Sequence, residues 1–144
     1  MNHDSYEADY LKSILSGNHV IALLGASPKP ERPSYGVMQF LLSQGYDVYP
    51  VNPGQAGKDI LGRKVYASLG DIPVKIDMVD VFRAPEYLMD VVNEAAALET
   101  KPKVIWGQLG VRDDAAAAKA EELGIKIVMD RCPAIEIPRL NIRR

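Results

Sequence analysis

Five consecutive apolar residues, Val20-Ile21-Ala22-Leu23-Leu24, stop at Gly25. Successive side chains of a strand point to opposite faces, so an unbroken apolar run needs cover on both, as in a parallel sheet with helices on each side. Four further segments read as strands: 46–51, 76–82, 104–106 and 125–129. Around them, apolar residues recur at helical spacing. Tyr6, Tyr10, Leu11, Ile14 and Leu15 precede Gly17, and Val37, Met38, Leu41 and Leu42 precede Gly45, with Ser34 as the expected N-cap. Leu88, Val91, Val92, Ala95 and Leu98 follow Pro85, and an alanine-rich helix from Asp113 to Leu123 ends at Gly124.

Strands alternating with crossover helices require parallel pairing and right-handed connections. The pattern predicts an α/β fold: a doubly wound, five-stranded parallel sheet in three layers, Rossmann-like, with strand order 3-2-1-4-5. The ligand crevice is expected between strands one and four. A single domain over 1–144 is expected, since the length suits one core and no repeat, linker or low-complexity tract divides the chain.

Composition narrows the partners. A formal charge of -2 gives no global attraction to nucleic acid or an anionic membrane. No apolar stretch approaches the roughly 20 residues that cross a bilayer. The start, Met1-Asn2-His3-Asp4-Ser5, lacks signal-peptide features, and the single cysteine, Cys132, has no intramolecular partner. A cytoplasmic protein with a small-molecule ligand is expected, with a protein partner or homo-oligomer left open.

Four loops gather at the carboxyl edge of such a sheet. The first, Gly25-Ala26-Ser27-Pro28-Lys29-Pro30, is followed by Arg32, Ser34 and Tyr35. Small residues, a hydroxyl, two cations and a helix N-terminus together suit a diphosphate. The others carry Asn52-Pro53-Gly54, Phe82-Arg83-Ala84-Pro85 and Trp106-Gly107-Gln108-Leu109-Gly110. A dinucleotide site would show Gly-x-Gly-x-x-Gly and a carboxylate at the end of strand two. Here Ser27 and Pro30 replace the second and third glycines, and Val51-Asn52-Pro53 is followed by Lys58, Arg63 and Lys64. A cationic surround of the ribose favours NADP or coenzyme A over NAD. Arg83, at the end of an apolar strand, either reaches a phosphate or adenine or pairs with a nearby carboxylate.

Taken together, Gly25-Ala26-Ser27 with Ser34-Tyr35, Gly45-Tyr46 with Pro50-Val51-Asn52-Pro53, Ser68-Leu69-Gly70-Asp71-Ile72-Pro73, Val81-Phe82-Arg83 and Trp106-Gly107-Gln108-Leu109-Gly110 resemble the small stand-alone coenzyme A-binding domain family. The likeness covers roughly residues 10 to 140 and extends to the coenzyme A-binding domain of the succinyl-CoA synthetase α-subunit. It implies coenzyme A as the cofactor, held by Ser27 to Pro30, by the loop from Pro53 to Lys58, and by Trp106 to Gln108. The synthetase-type loop reads Pro-Gly-Lys-Gly-Gly, whereas this chain has Pro53-Gly54-Gln55-Ala56-Gly57 and delays its lysine to position 58.

No catalytic set emerges. His3 falls in a terminus expected to fray and His19 at the far edge of strand one, while Asp77 and Asp80 point to opposite faces of strand three. Trp106 either covers the ligand or fills the core. Cys132 either meets the coenzyme's thiol end or is a small buried residue. The leading expectation is a coenzyme A or acyl-CoA binding protein without autonomous catalysis, a sensor or accessory module. The alternatives are an NADP-dependent oxidoreductase, a coenzyme A-linked redox protein using Cys132, and an interaction protein with empty loops.

Overall fold

The computed structural model describes residues 1–143. In chain order the elements are α1 (Ala8–Gly17), β1 (Val20–Leu24), α2 (Pro33–Ser43), β2 (Asp47–Val51), β3 (Asp59–Ile60), β4 (Arg63–Lys64), β5 (Met78–Val81), α3 (Leu88–Ala96), β6 (Val104–Gly107), α4 (Asp114–Glu122), β7 (Lys126–Val128) and α5 (Pro133–Arg139). β1, β2, β5, β6 and β7 form one sheet in which every neighbouring pair is parallel. β3 and β4 form a separate antiparallel hairpin.

The α/β class and the five parallel strands agree with the sequence reading, but the order does not. The strands lie β2-β1-β5-β6-β7, so the third long strand adjoins β1 and not β2, giving 2-1-3-4-5 in place of 3-2-1-4-5. The outer edge of β2 is already occupied. Tyr66 N–H donates to the Pro50 carbonyl at 3.0 Å, and Asn52 N–H donates to the Tyr66 carbonyl at 2.9 Å. Residues 52–77 contain short 3-10 turns and the hairpin in place of a crossover helix, and the chain returns past β1 to lay β5 on its free side. The hairpin and α5 were not anticipated from the sequence: strands of two residues carry no readable alternation, and α5 contains Pro138.

Strand alternation divides the core into two faces. Ile21, Leu23, Met78, Val104, Trp106 and Val128 pack with buried residues of α1, α2 and α5, whereas Ala22, Leu24, Val79, Val81, Ile105 and Ile127 pack with those of α3 and α4. In α3, buried Leu88, Val91, Val92 and Ala95 follow the helical repeat. Each larger aliphatic side chain so covered contributes roughly 1.5 to 3 kcal/mol. Among the described residues no helix is long and apolar enough to cross a membrane.

The amino-terminal segment is tied down, contrary to the expected fraying. His3 is 7% exposed, with its Nε2 2.6 Å from Glu121 Oε1 and its Nδ1 2.7 Å from the Tyr6 hydroxyl, which in turn accepts from Met129 N–H. Asp113 caps α4, its Oδ1 accepting from Ala115 and Ala116 N–H. α2 starts two residues earlier than expected, with Arg32 at the N-cap, so Ser34 sits in the first turn and does not cap it.

Candidate functional site

β1 leads into α2 on one face of the sheet, and its parallel neighbour β5 leads into α3 on the other. Where two adjacent strands send their chains to opposite faces, a crevice opens beyond their carboxyl ends. It lies between β1 and β5, not beside strand four as expected, because the strand order differs. A cavity of about 730 Å³ is lined there by Gly25, Ala26, Ser27, Pro28, Lys29, Arg32, Ser34, Asn52, Phe82, Arg83 and Gln108 from the expected set. Val37, Leu109, Val111 and Cys132 also line it. A second lobe of about 430 Å³ shares Gly25, Asn52, Phe82 and Arg83 and adds Pro53, Ser68 and Tyr87.

Gly25 marks the neck between the lobes. Its φ is +90°, and a Cβ there would lie 2.5 Å from the Phe82 carbonyl oxygen. The space this glycine preserves is therefore between strand ends, not for a ligand. The N–H groups of Gly25 and Ala26 both donate to the Val51 carbonyl, at 3.0 and 3.2 Å. This corrects the expectation that they face an anion. Lys29 N–H donates to Ser27 Oγ at 3.2 Å, and Asn52 joins the first two loops, its Nδ2 donating to the Ala26 carbonyl at 2.8 Å while its Oδ1 accepts from Gly54 N–H.

The electrostatics come from α2 and three cations. No side chain caps α2; Pro33 has no N–H and Tyr35 N–H donates to the Arg32 carbonyl at 3.1 Å, so the turn offers the crevice chiefly the positive end of the helix dipole. Ser34, in that turn, is buried and lines the cavity. Lys29, Arg32 and Arg83 are exposed, and none takes part in the ion pairs formed among the described residues. Arg83 instead stands over the Tyr87 ring at 4.6 Å, a cation–π arrangement.

Several expected residues lie elsewhere. Trp106 is fully buried on the α1, α2 and α5 face, its indole N–H donating to the Arg131 carbonyl at 2.9 Å. It fills the core and does not cover the crevice. Gly107 is buried in β6, where a Cβ would meet the Val111 carbonyl oxygen at 2.7 Å. Tyr35 is half-buried against the core, and Pro30 and Lys58 are exposed and line neither lobe. Arg63 is committed to Asp47 and the Val48 carbonyl near the start of β2, and Lys64 stands over the Tyr66 ring. The cationic cluster expected around a ribose thus reduces to Arg83 at the second lobe.

The sequence reading missed the polar group beneath the larger lobe. Asp80, in β5, is fully buried, and its Oδ1 accepts from Gln108 Nε2 at 2.7 Å. Its Oδ2 is buried with no hydrogen-bond partner. Burial pushes the carboxyl up to about 7, and the Gln108 bond opposes this only in part. Cys132 is also buried, which pushes its thiol above the ordinary range, and the charge of Asp80 adds to the effect. Alternation along β5 places Met78 and Asp80 on one face, a signal that was readable, but nothing in the sequence couples Asp80 to Gln108. Asp77 belongs to the opposite end of the strand, where it accepts from His19 and Val20 N–H.

Residues 19–138 match the family described as CoA binding domain. An uncharacterized protein of Bacillus subtilis, YneT, is 38% identical over 122 residues, 85% of this chain and 87% of that protein. A solved structure of a hypothetical protein from Pyrococcus horikoshii is 43% identical with a TM-score of 0.88, covering 99% of this chain and 97% of the other. The α-subunit of an ADP-forming acetate–CoA ligase from Pyrococcus furiosus is 34% identical over 98 residues, 62% of this chain but 21% of the subunit.

Proposed function

The chain belongs to the CoA-binding domain family, and from that premise we propose that its two-lobed crevice binds coenzyme A or an acyl-CoA, as a sensor or accessory module without autonomous catalysis. The observation that carries the reading is the set of three unpaired cations, Lys29, Arg32 and Arg83, around an uncapped helix N-terminus at the crevice. A polyphosphate ligand supplies the charge they lack. Ser27, Lys29 and the first turn of α2 would hold the diphosphate. Arg83, with Tyr87, Asn52 and Pro53 in the smaller lobe, would hold the adenosine and its 3′-phosphate; Glu94, which also lines this lobe, accepts from Leu69 N–H at 3.0 Å. Val37, Leu109, Val111 and Cys132 offer an apolar wall suited to the pantetheine arm.

When bound, the coenzyme would supply a thiol or thioester. Among the described residues, the titratable groups beside Gln108 at that end of the crevice are Asp80 and Cys132, both buried. The Pyrococcus furiosus relative carries CoA ligation in its name, but this chain spans about a fifth of that subunit, and ligation is not proposed for it.

Thermal melting with coenzyme A, acetyl-CoA and NADP tests the reading. A ligand that binds only the native state stabilises by RT ln(1 + [L]/Kd), about 2.7 kcal/mol at a hundredfold excess over Kd. Coenzyme A and its acetyl ester are expected to raise the midpoint. A rise with NADP alone would replace the coenzyme reading with the oxidoreductase one.

A further inference from the structure

Gln108 lines the larger lobe and is also bonded to the buried carboxyl of Asp80, so the crevice and that carboxyl share one side chain. We infer that Asp80 and Gln108 form a proton-coupled pair that offers the ligand's reactive end either an acceptor or a donor, and so distinguishes a free thiol from a thioester. The inference rests on the coenzyme reading of the crevice.

A glutamine amide has an oxygen that only accepts and a nitrogen that only donates, and an ionised aspartate only accepts. The ionised pair therefore holds Nε2 against Asp80, as in the observed 2.7 Å bond, and leaves Oε1 as the end available to a ligand. A protonated Asp80 carries an O–H that can donate to Oε1 once the amide has turned over, leaving the Nε2 hydrogens for the ligand. Both rotations are about terminal sp³–sp² torsions, which are soft. A thiol S–H, a donor, is matched by the first arrangement, and a thioester carbonyl, an acceptor, by the second.

Two observations support both states. Oδ2 of Asp80 is buried without a donor, an expensive position for an ionised oxygen, and a proton on the carboxyl relieves that cost. Burial also brings the carboxyl to about 7, where the two forms coexist near neutrality. The surroundings of Asp80 add no competing charge at this depth. Leu23 of β1 and Trp106 of β6 are its register neighbours, and the indole N–H is taken by the Arg131 carbonyl. α2 contributes buried Ser34, Val37 and Met38. On the α5 side stand the Cys132 thiol, which burial keeps protonated, and Glu136, which is paired with Arg139. Lys29 and Arg32 are at the exposed mouth.

Calorimetry of the full chain at pH 7, in two buffers of different ionisation enthalpy, measures the protons exchanged on binding. Coenzyme A and acetyl-CoA carry the same phosphates, so any difference between them excludes phosphate titration. Acetyl-CoA is expected to take up more protons than coenzyme A, and the difference is expected to vanish in Asp80→Asn and in Gln108→Met. Equal uptake for both ligands, or a difference that survives in Asp80→Asn, overturns the inference while the coenzyme reading stands. Failure of both ligands to bind overturns the two together. Should the variants not fold, carbon-13 NMR of the ligand-free parent decides. The Asp80 carboxyl and the Gln108 side-chain N–H₂ are expected to titrate with one midpoint near neutrality, and a carboxyl ionised at pH 5 or an unresponsive Gln108 overturns the pair.

Discussion

Replacing Gly25 by alanine should damage the fold itself, and the structure supplies a matched control in Gly45. The two glycines have nearly the same backbone conformation, φ +90° and +91°. A Cβ on Gly45 would meet nothing within 4 Å, whereas one on Gly25 would lie 2.5 Å from the Phe82 carbonyl oxygen and 3.0 Å from its carbon. The positive φ costs an alanine roughly 1 to 2 kcal/mol at either position, offset by about 0.4 to 1 kcal/mol from the stiffer unfolded chain. Gly45→Ala should therefore lose about 1 kcal/mol. Gly25→Ala must also push apart two strand ends joined by the 2.8 Å bond from Phe82 N–H to the Leu24 carbonyl. Overpacking of that kind costs about 1 to 3 kcal/mol and a broken hydrogen bond about 1 more, so the total is about 3 to 5 kcal/mol. In a chain of this length that lowers the melting midpoint by roughly 10 to 15 °C, against about 3 °C for the control. Urea and thermal denaturation of both variants measure the gap. Equal midpoints would refute the steric argument and return Gly25 to the role of a ligand-facing glycine.

Asp80 should make stability fall as pH rises. Its carboxyl is at about 7 in the folded protein against an ordinary 3.8, so its favourable contribution is complete below about 4 and lost as pH climbs through 7. The full span corresponds to about 4 kcal/mol, of which about 3 kcal/mol falls between pH 5 and pH 8, and urea denaturation at those two values should show Asp80→Asn nearly free of the drop; equal drops in parent and variant would contradict this. Arg83→Ala should narrow the preference for coenzyme A over dephospho-coenzyme A, and added salt should narrow it in the parent, as calorimetry can show; an undiminished preference would remove Arg83 from the 3′-phosphate. Trp106→Phe should cost about 1 to 3 kcal/mol by leaving the Arg131 carbonyl unsatisfied, with ligand affinity unchanged. A loss of affinity at unchanged stability would restore the tryptophan to the site.

What was legible in the sequence were the features carried by runs and periods. The unbroken apolar stretch in β1 and the 3.6-residue stripes of α1 to α4 mark the elements, and their alternation marks the parallel sheet. Strand order was not legible, because it depends on Tyr66 closing the outer edge of β2 through bonds made by its backbone, whatever its side chain. The loop proposed to hold the diphosphate was found by composition, but the direction of its amides was not. Gly25 and Ala26 look available to an anion until the Val51 carbonyl is seen to accept from both. Lys58, Arg63 and Lys64 form a cluster in sequence that the hairpin disperses in space, and Trp106 lies among loop residues in sequence but ends as core. Asp80 illustrates the converse: it was set aside because it faces away from Asp77, yet burial makes it the most perturbed carboxyl at the crevice, bonded there to Gln108.

Amide NMR spectra of the nitrogen-15-labelled protein titrated with coenzyme A test the central claim most directly, since they report both binding and its place. The crevice between β1 and β5 predicts the largest shifts at Ser27, Lys29, Ser34, Asn52 and Arg83, with smaller ones at Gln108. Absence of any shift, or shifts gathered instead at the separate cleft formed by Leu69, Ile72, Leu98 and Thr100, would contradict the account.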